Sequence, residues 1–311
     1  MRLGMIGLGR MGGNMVRRLR RGGLGVVGHT RHFEHARQLE DECGMRAAAS
    51  AEDLVRELAP PRIVWLMLPA GRPTEEHVER LSELLEAGDV VVDGANSHFE
   101  DSMRRGESLG ERGIRFVDAG VSGGIWGLDE GYALMVGGPP AAVALLEPVL
   151  RALAPAPDRG WLHCGPTGSG HFVKMIHNGI EYGMMQAYAE GFALLEARRD
   201  FGLDLAAIAE MWRHGSVVRS WLLDLTAGFL AEDQKLESVA PHVGDSGEGR
   251  WTVIEAIERG VPAPVIATSM MMRFASQGQA DYASKILAMM RNSFGGHAFR
   301  RTGGADGAGD V

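Results

Sequence analysis

Short apolar runs alternate with amphipathic stretches over the first half of the chain, and the alternation stops near residue 165. Residues 2–6, 25–29, 63–68, 90–93, 114–118 and 133–136 are each compact apolar runs bounded by turn-forming residues, the pattern of a buried strand. Helical patterns lie between most of them, which predicts a doubly wound sheet. Pro155-Ala156-Pro157 and Gly165-Pro166-Thr167-Gly168 punctuate the boundary. After it strand signals vanish, and helical patterns run over 169–199, 204–213, 217–230, 251–276 and about 279–290. The expected organisation is an α/β domain over 1–164 and an all-α domain over 165–301. A Gly-, Ala- and Asp-rich tail over 302–311 is expected to be disordered.

The first run leads directly into Gly7-Leu8-Gly9-Arg10-Met11-Gly12 and then a helical pattern. A G-x-G-x-x-G turn between a strand and a helix predicts a dinucleotide-binding, Rossmann-type domain. The first glycine allows the tight turn, the second brings the backbone to the pyrophosphate, and the third lets helix and strand approach. The helix N-terminus then receives the phosphate charge. Roughly 20 residues further on, an Asp or Glu normally takes the ribose hydroxyls of NAD. This chain has Thr30 and Arg31 there. The missing carboxylate removes repulsion of a 2′-phosphate and Arg31 offers it a cation, so the coenzyme expectation leans to NADP over NAD. Ligands of such sheets sit beyond the carboxyl ends of the strands, which brings Leu68, Pro69, Ala70, Asn96, Ser122, Gly123 and Gly124 to one crevice.

The stretch 168–182 concentrates the remaining chemistry. On a helix, Lys174, His177, Asn178 and Glu181 share one face, with Tyr182 at its edge. Phe172, Val173, Met175, Ile176, Gly179 and Ile180 make up the rest of the surface. A helix that is apolar except for one stripe is buried, and the stripe faces a cleft or a partner. A lysine and a glutamate there are costly to desolvate unless paired or used. An ion pair accounts for those two groups but not for the histidine and asparagine beside them. Gly179, Gly183 and Gly191 cost up to about 1 kcal/mol each inside a helix and predict close approach of a neighbouring element. The runs Met184-Met185, Met270-Met271-Met272 and Met289-Met290 read as core filler.

Composition narrows the partners. With 311 residues and 45% hydrophobic content the chain has ample material for two cores. A formal net charge of -8 argues against nucleic acid and anionic membrane surfaces. Cys43 and Cys164 form neither a disulfide framework nor part of a ligand cluster, so a reducing compartment and no metal are expected. A strand pattern starting at Arg2 leaves no room for a signal segment, and no apolar run approaches about 18 residues. The expectation is a cytoplasmic protein whose partner is a small molecule.

Taken together, Gly7–Gly12, Asp93-Gly94-Ala95-Asn96-Ser97, Gly120-Val121-Ser122-Gly123-Gly124 and His171 through Tyr182 resemble the decarboxylating 6-phosphogluconate dehydrogenases of the β-hydroxyacid dehydrogenase superfamily. The resemblance runs from residue 2 to about 299, and the chain length suits the short form of that family. It implies that Lys174 is the general base and Glu181 the general acid, with burial and nearby arginines lowering the lysine pKa. It implies substrate contacts at Asn96, Ser122, Gly123, Gly124, His177, Asn178, Tyr182 and Arg273, with Asn96 also touching the coenzyme. It further implies a homodimer or higher oligomer in which Arg291 and His297 reach a neighbouring subunit. One departure stands out: Ser246 occupies a position where long forms place a phosphate-binding lysine, ahead of Arg250-Trp251-Thr252. Either Arg250 substitutes or the phosphate is held more weakly. Two other readings stay open, a dehydrogenase of the same superfamily acting on another 3-hydroxyacid and a catalytically inactive dinucleotide-binding module.

Overall fold

The structure, a computed structural model, describes residues 1–295, and the chain divides into two units between Asn178 and Gly179. The first unit runs β1 (Arg2–Ile6), α1 (Arg10–Arg21), β2 (Gly25–His29), α2 (Phe33–Cys43), β3 (Arg46–Ala47) and α3 (Ala51–Arg56). It continues with β4 (Ile63–Leu66), α4 (Arg72–Leu84), β5 (Val90–Asp93), α5 (Phe99–Gly110) and β6 (Arg115–Ser122). Then come α6 (Gly127–Glu130), β7 (Ala133–Gly137), α7 (Pro140–Leu153), β8 (Trp161–Gly165) and the start of α8 (Ser169–Ala197).

The eight strands form one sheet in the order β3-β2-β1-β4-β5-β6-β7-β8. Every neighbouring pair is parallel except β6 and β7. Parallel neighbours need a crossover of a dozen or more residues, whereas the short connection 123–132 only reverses the chain. Leu3, Met5, Val26, Trp65, Val92, Val117 and Val136 meet residues of α1, α2 and α7 on one face. Ile6, Val27, Val64, Leu66, Val91 and Phe116 meet α3, α4 and α5 on the other. Burial on both faces is why the strands read as unbroken apolar runs.

Two strands escape the sequence pattern. β3 has only two residues, and β8 is an edge strand whose Leu162 is 65% exposed, so neither is a buried apolar run. β6 extends beyond residue 118 to Ser122 because its antiparallel ladder with β7 continues to the Ser122–Ala133 pair.

The second unit contains the remainder of α8, then α9 (Leu205–Arg213), α10 (Trp221–Glu232), α11 (Glu248–Glu258), α12 (Pro264–Ser276) and α13 (Asp281–Gly295). Leu205, Ala209, Leu223, Ala227 and Leu230 form a core against Tyr188 and Phe192 of α8. The single helix expected over 251–276 is two. The break is a C-terminal motif at Gly260, φ +65°, in which Val261 N–H donates to the Ala256 carbonyl and Gly260 N–H to that of Ile257. Pro264 then starts the next helix. Gly179 and Gly183 do face close neighbours, Thr252 and Val265, but a Cβ on Gly191 would meet nothing within 4 Å. The methionine runs also differ from expectation: Met270 is 1% exposed, whereas Met184, Met185, Met271, Met272, Met289 and Met290 are all exposed. These six are apolar side chains left exposed on α8, α12 and α13, so they do not fill a core.

One cluster between α4 and α5 of the first unit has a pH signature. Arg104 and Arg105 donate to the Glu75 carboxylate at 2.6, 3.0 and 2.8 Å, and Arg104 above all pulls its pKa down to about 2 from 4.5. A depressed carboxylate pKa stabilises the fold above the unfolded value, and that contribution disappears as pH falls through the folded value. Replacing Glu75 by Gln is therefore expected to cost about 1 kcal/mol at neutral pH. Thermal unfolding of both proteins over a pH series checks this, and the gap should narrow steadily below pH 4.5.

Candidate active site

The turn after β1 has the geometry expected of a dinucleotide site. Gly7 has φ +97°, and a Cβ there would lie 2.2 Å from the Met67 carbonyl oxygen. A Cβ on Gly12 would lie 1.9 Å from the Gly7 carbonyl oxygen. Gly9 is different. It is the N-cap of α1, no side chain caps that helix end, and a Cβ on it would meet nothing within 4 Å. The start of α1 is thus an open, uncapped helix N-terminus between β1 and β4, where the strand order reverses. A pyrophosphate fits such a place.

The neighbouring residues sort by exposure. Leu8 is fully buried and its carbonyl is bonded to His35 Nε2 at 2.7 Å, so only its backbone can serve a ligand. Arg10 is exposed and Met11 half-buried. Past the end of β2, Thr30 is half-buried and Arg31 exposed, with no carboxylate at either position. Past β4, Leu68 is half-buried while Pro69 and Ala70 are exposed, and Thr74 Oγ1 donates to the Pro69 carbonyl at 2.9 Å. β2, β1, β4, β5 and β6 are consecutive and parallel in the sheet, so their carboxyl ends line one edge. Asn96 follows β5 and is exposed; Ser122 ends β6 and leads into Gly123 and Gly124.

The first turns of α8 meet that edge. A Cβ on Gly120 would sit 2.4 Å from the Lys174 Cβ, so β6 and the helix abut with no space for a side chain. Lys174 and Asn178 are each 8% exposed. His177 Nδ1 lies 3.0 Å from Asn178 Oδ1 and its Nε2 lies 3.4 Å from Ser122 Oγ. Asparagine Oδ1 can only accept, so Nδ1 is the donor in that contact. Within the first unit the fold therefore brings together Ser122, Lys174, His177 and Asn178.

In the second unit Tyr182 is 6% exposed, and its hydroxyl is 3.3 Å from Ser246 Oγ. The Arg273 guanidinium lies 3.5 Å from the centre of the Tyr182 ring, and its Nη1 donates to the Gly244 carbonyl at 2.7 Å. Tyr182, Ser246 and Arg273 thus form one cluster. Arg250 is engaged by the Asp245 carboxylate at 2.8 Å. Glu181 is half-buried on α8 and Arg291 exposed on α13; His297 lies outside the described residues.

Four buried polar residues near the edge were not singled out from the sequence: Asp93, Arg105, Asp118 and Ser102. The signal was an aspartate closing each of the apolar runs 90–93 and 114–118. Among the described residues no cluster of three or more His, Cys, Asp or Glu has a metal-holding arrangement, and no helix is long and apolar enough to cross a membrane.

The sheet order, the glycine turn at its switch point and the helical second unit are those of a Rossmann-type dinucleotide-binding protein with a helical second domain, and comparison with known proteins agrees. Residues 2–165 match the NAD binding domain of 6-phosphogluconate dehydrogenase, and residues 170–286 match the C-terminal domain of the same enzyme. An NAD(+)-dependent, decarboxylating 6-phosphogluconate dehydrogenase of Haloferax volcanii is 44% identical over 97% of this chain and 99% of its own. The 6-phosphogluconate dehydrogenase of Plasmodium falciparum, solved with NADP+ and with 6-phosphogluconate, superimposes with a TM-score of 0.82 at 27% identity. It covers all of this chain, which spans 67% of the parasite enzyme. A 3-hydroxyisobutyrate dehydrogenase from Salmonella typhimurium shares the fold at 22% identity and TM-score 0.74, over 90% of this chain and 95% of its own. The chain belongs to the 6-phosphogluconate dehydrogenase family.

Proposed function

We propose that the protein oxidises 6-phospho-D-gluconate and decarboxylates the product, giving D-ribulose 5-phosphate and CO2. The observation that carries this reading is the buried Lys174 seated against β6 beside Ser122 and His177, with an acid, Glu181, two turns further along the same helix. Simple oxidation of a 3-hydroxyacid needs a base only. A second proton donor is needed once a carboxylate has left and a carbon must be protonated.

A nicotinamide dinucleotide held at the Gly7–Gly12 turn would supply the hydride acceptor for C3. Lys174, neutral at that moment, takes the 3-hydroxyl proton and leaves a 3-keto acid. As CO2 departs, the ammonium of Lys174 stabilises the developing enolate oxygen and returns a proton to it. Glu181 then protonates C1 while the enediol hydroxyl gives its proton back to Lys174, leaving the ketone of D-ribulose 5-phosphate. Asn96, Ser122, Gly123, Gly124, His177 and Asn178 orient the sugar acid, and Tyr182 with Arg273 holds the phosphate. Because Arg250 is already engaged by Asp245, Ser246 and Arg273 carry the phosphate more weakly than a lysine would. Arg291 and His297 serve the neighbouring subunit's site in a homo-oligomer.

Assays with 6-phosphogluconate and with 3-hydroxyisobutyrate, following reduced coenzyme and CO2, test the reading. Turnover of the first with equal yields of both products is expected. Turnover of the second alone identifies a plain 3-hydroxyacid dehydrogenase, and turnover of neither overturns the reading. Lys174→Ala is expected to abolish hydride transfer, while Glu181→Ala mainly slows proton exchange into C1 of ribulose 5-phosphate. Near-normal oxidation by a folded Lys174→Ala protein would show the base to be another group.

The coenzyme reading rests on Thr30 and Arg31, which leave the end of β2 open to a 2′-phosphate and favour NADP. Thr30→Asp should move kcat/KM toward NAD by about tenfold or more, through acceptance from the ribose hydroxyls and repulsion of the phosphate. Steady-state kinetics with both coenzymes decide it, and a wild-type preference for NAD overturns the lean.

A further inference from the structure

β5 and β6 carry two fully buried aspartates that are partners in the sheet register, Asp93 beside Asp118. In-register residues of adjacent strands project to the same face, so two carboxylates are desolvated side by side, which is unfavourable unless each is fully satisfied. Different chemistry satisfies each of them. Asp93 accepts from Arg105 Nη1, Ser97 Oγ and the Ala95 N–H, all at 2.9 Å. Among the described residues no cation pairs with Asp118. It accepts the backbone N–H groups of Gly168 at 2.7 Å and His171 at 2.8 Å, capping the first turn of α8.

The groups bound are informative. Ala95 and Ser97 flank Asn96 on either side. Gly168 and His171 frame the turn that leads into Lys174. Helix α5 joins the two arrangements, because it carries Arg105 and also Ser102, whose hydroxyl lies 2.6 Å from His171 Nδ1. Both carboxylates are taken up by protein groups, Asp93 by Arg105, Ser97 and the Ala95 amide and Asp118 by the Gly168 and His171 amides.

We propose that Asp93 and Asp118 are paired positioning residues, Asp93 setting the Asn96 loop and Asp118 setting the helix that presents Lys174. The inference deepens the catalytic reading above and takes the roles of Asn96 and Lys174 from it. A purely structural role would lower stability and all kinetic constants together. Separate positioning roles give different signatures.

The test compares Asp93→Asn with Asp118→Asn in the full chain, reading thermal unfolding, coenzyme Kd by titration with NADH and NADPH, and KM and kcat with 6-phosphogluconate. Asp93→Asn is expected to weaken coenzyme Kd and substrate KM by about tenfold with kcat nearly kept. Asp118→Asn is expected to keep coenzyme Kd while kcat falls about 10- to 100-fold, the scale of a misplaced catalytic group. If either variant fails to fold, Ser97→Ala and Ser102→Ala replace it and should show the same split at smaller size. Parallel losses in both variants, in proportion to their loss of thermal stability, overturn the proposal. So do wild-type constants in both. Should the wild type bind dinucleotide yet ignore 6-phosphogluconate, the catalytic reading falls. The coenzyme arm then decides the positioning claim alone: Kd must weaken in Asp93→Asn and hold in Asp118→Asn, and equal values in the two overturn it.

Discussion

The rest of the first unit depends on a backbone-to-backbone contact between the sheet edge and the start of α8. A Cβ on Gly170 would come within 2.5 Å of the Met135 carbonyl oxygen and 2.6 Å of that of Asp118, while one on Gly137 would come within 2.6 Å of the Gly170 nitrogen. With Gly120 against Lys174, three glycines from β6, β7 and α8 remove every side chain that would hold helix and strands apart. Glycine in a strand or helix interior weakens that element. Here the loss is offset by contact that an alanine would block. Asp118 then caps the same helix turn with both oxygens, so the carboxyl end of β6 and the first turns of α8 behave as one piece.

The coenzyme half rests on the same kind of approach. Gly7 and Gly12 close the turn around the Met67 and Gly7 carbonyls, and the uncapped start of α1 is left open beside the ends of β2, β4 and β5. The strand order that reverses between β1 and β4 makes that opening possible. Placing the buried lysine on a helix seated against β6 sets the proposed base on the same carboxyl-end edge of the sheet as the glycine turn.

Much of this was legible in the sequence, because the same physics writes the pattern. Strands covered on both faces read as apolar runs, whereas the striped helix differs from expectation: Lys174 and Asn178 of the stripe are buried, while its apolar Val173 and Ile180 are exposed. The glycine turn was legible because no other residue fits at Gly7 or Gly12. Other features left no local trace. β3 and β8 are an abbreviated and an exposed strand, so neither has a core-facing run. The α11–α12 break depends on Gly260 adopting positive φ, which an apolar period across 251–276 conceals. Apart from Met270, the methionines of the three runs are apolar without being buried. Asp93 and Asp118 looked like ordinary strand-end residues, since their partners, Arg105 and the Gly168 and His171 amides, lie far along the chain.

The central claim is that the absence of a side chain at residue 120 places Lys174 for catalysis. The direct measurement is the single-turnover rate of reduced-coenzyme formation by Gly120→Ala at saturating 6-phosphogluconate, alongside coenzyme Kd and thermal unfolding. A Cβ at 120 would lie 2.4 Å from the Lys174 Cβ, so the lysine must move. The account predicts a folded protein with wild-type coenzyme affinity and a rate lowered about 100-fold. A folded Gly120→Ala protein that forms reduced coenzyme at the wild-type rate would contradict it.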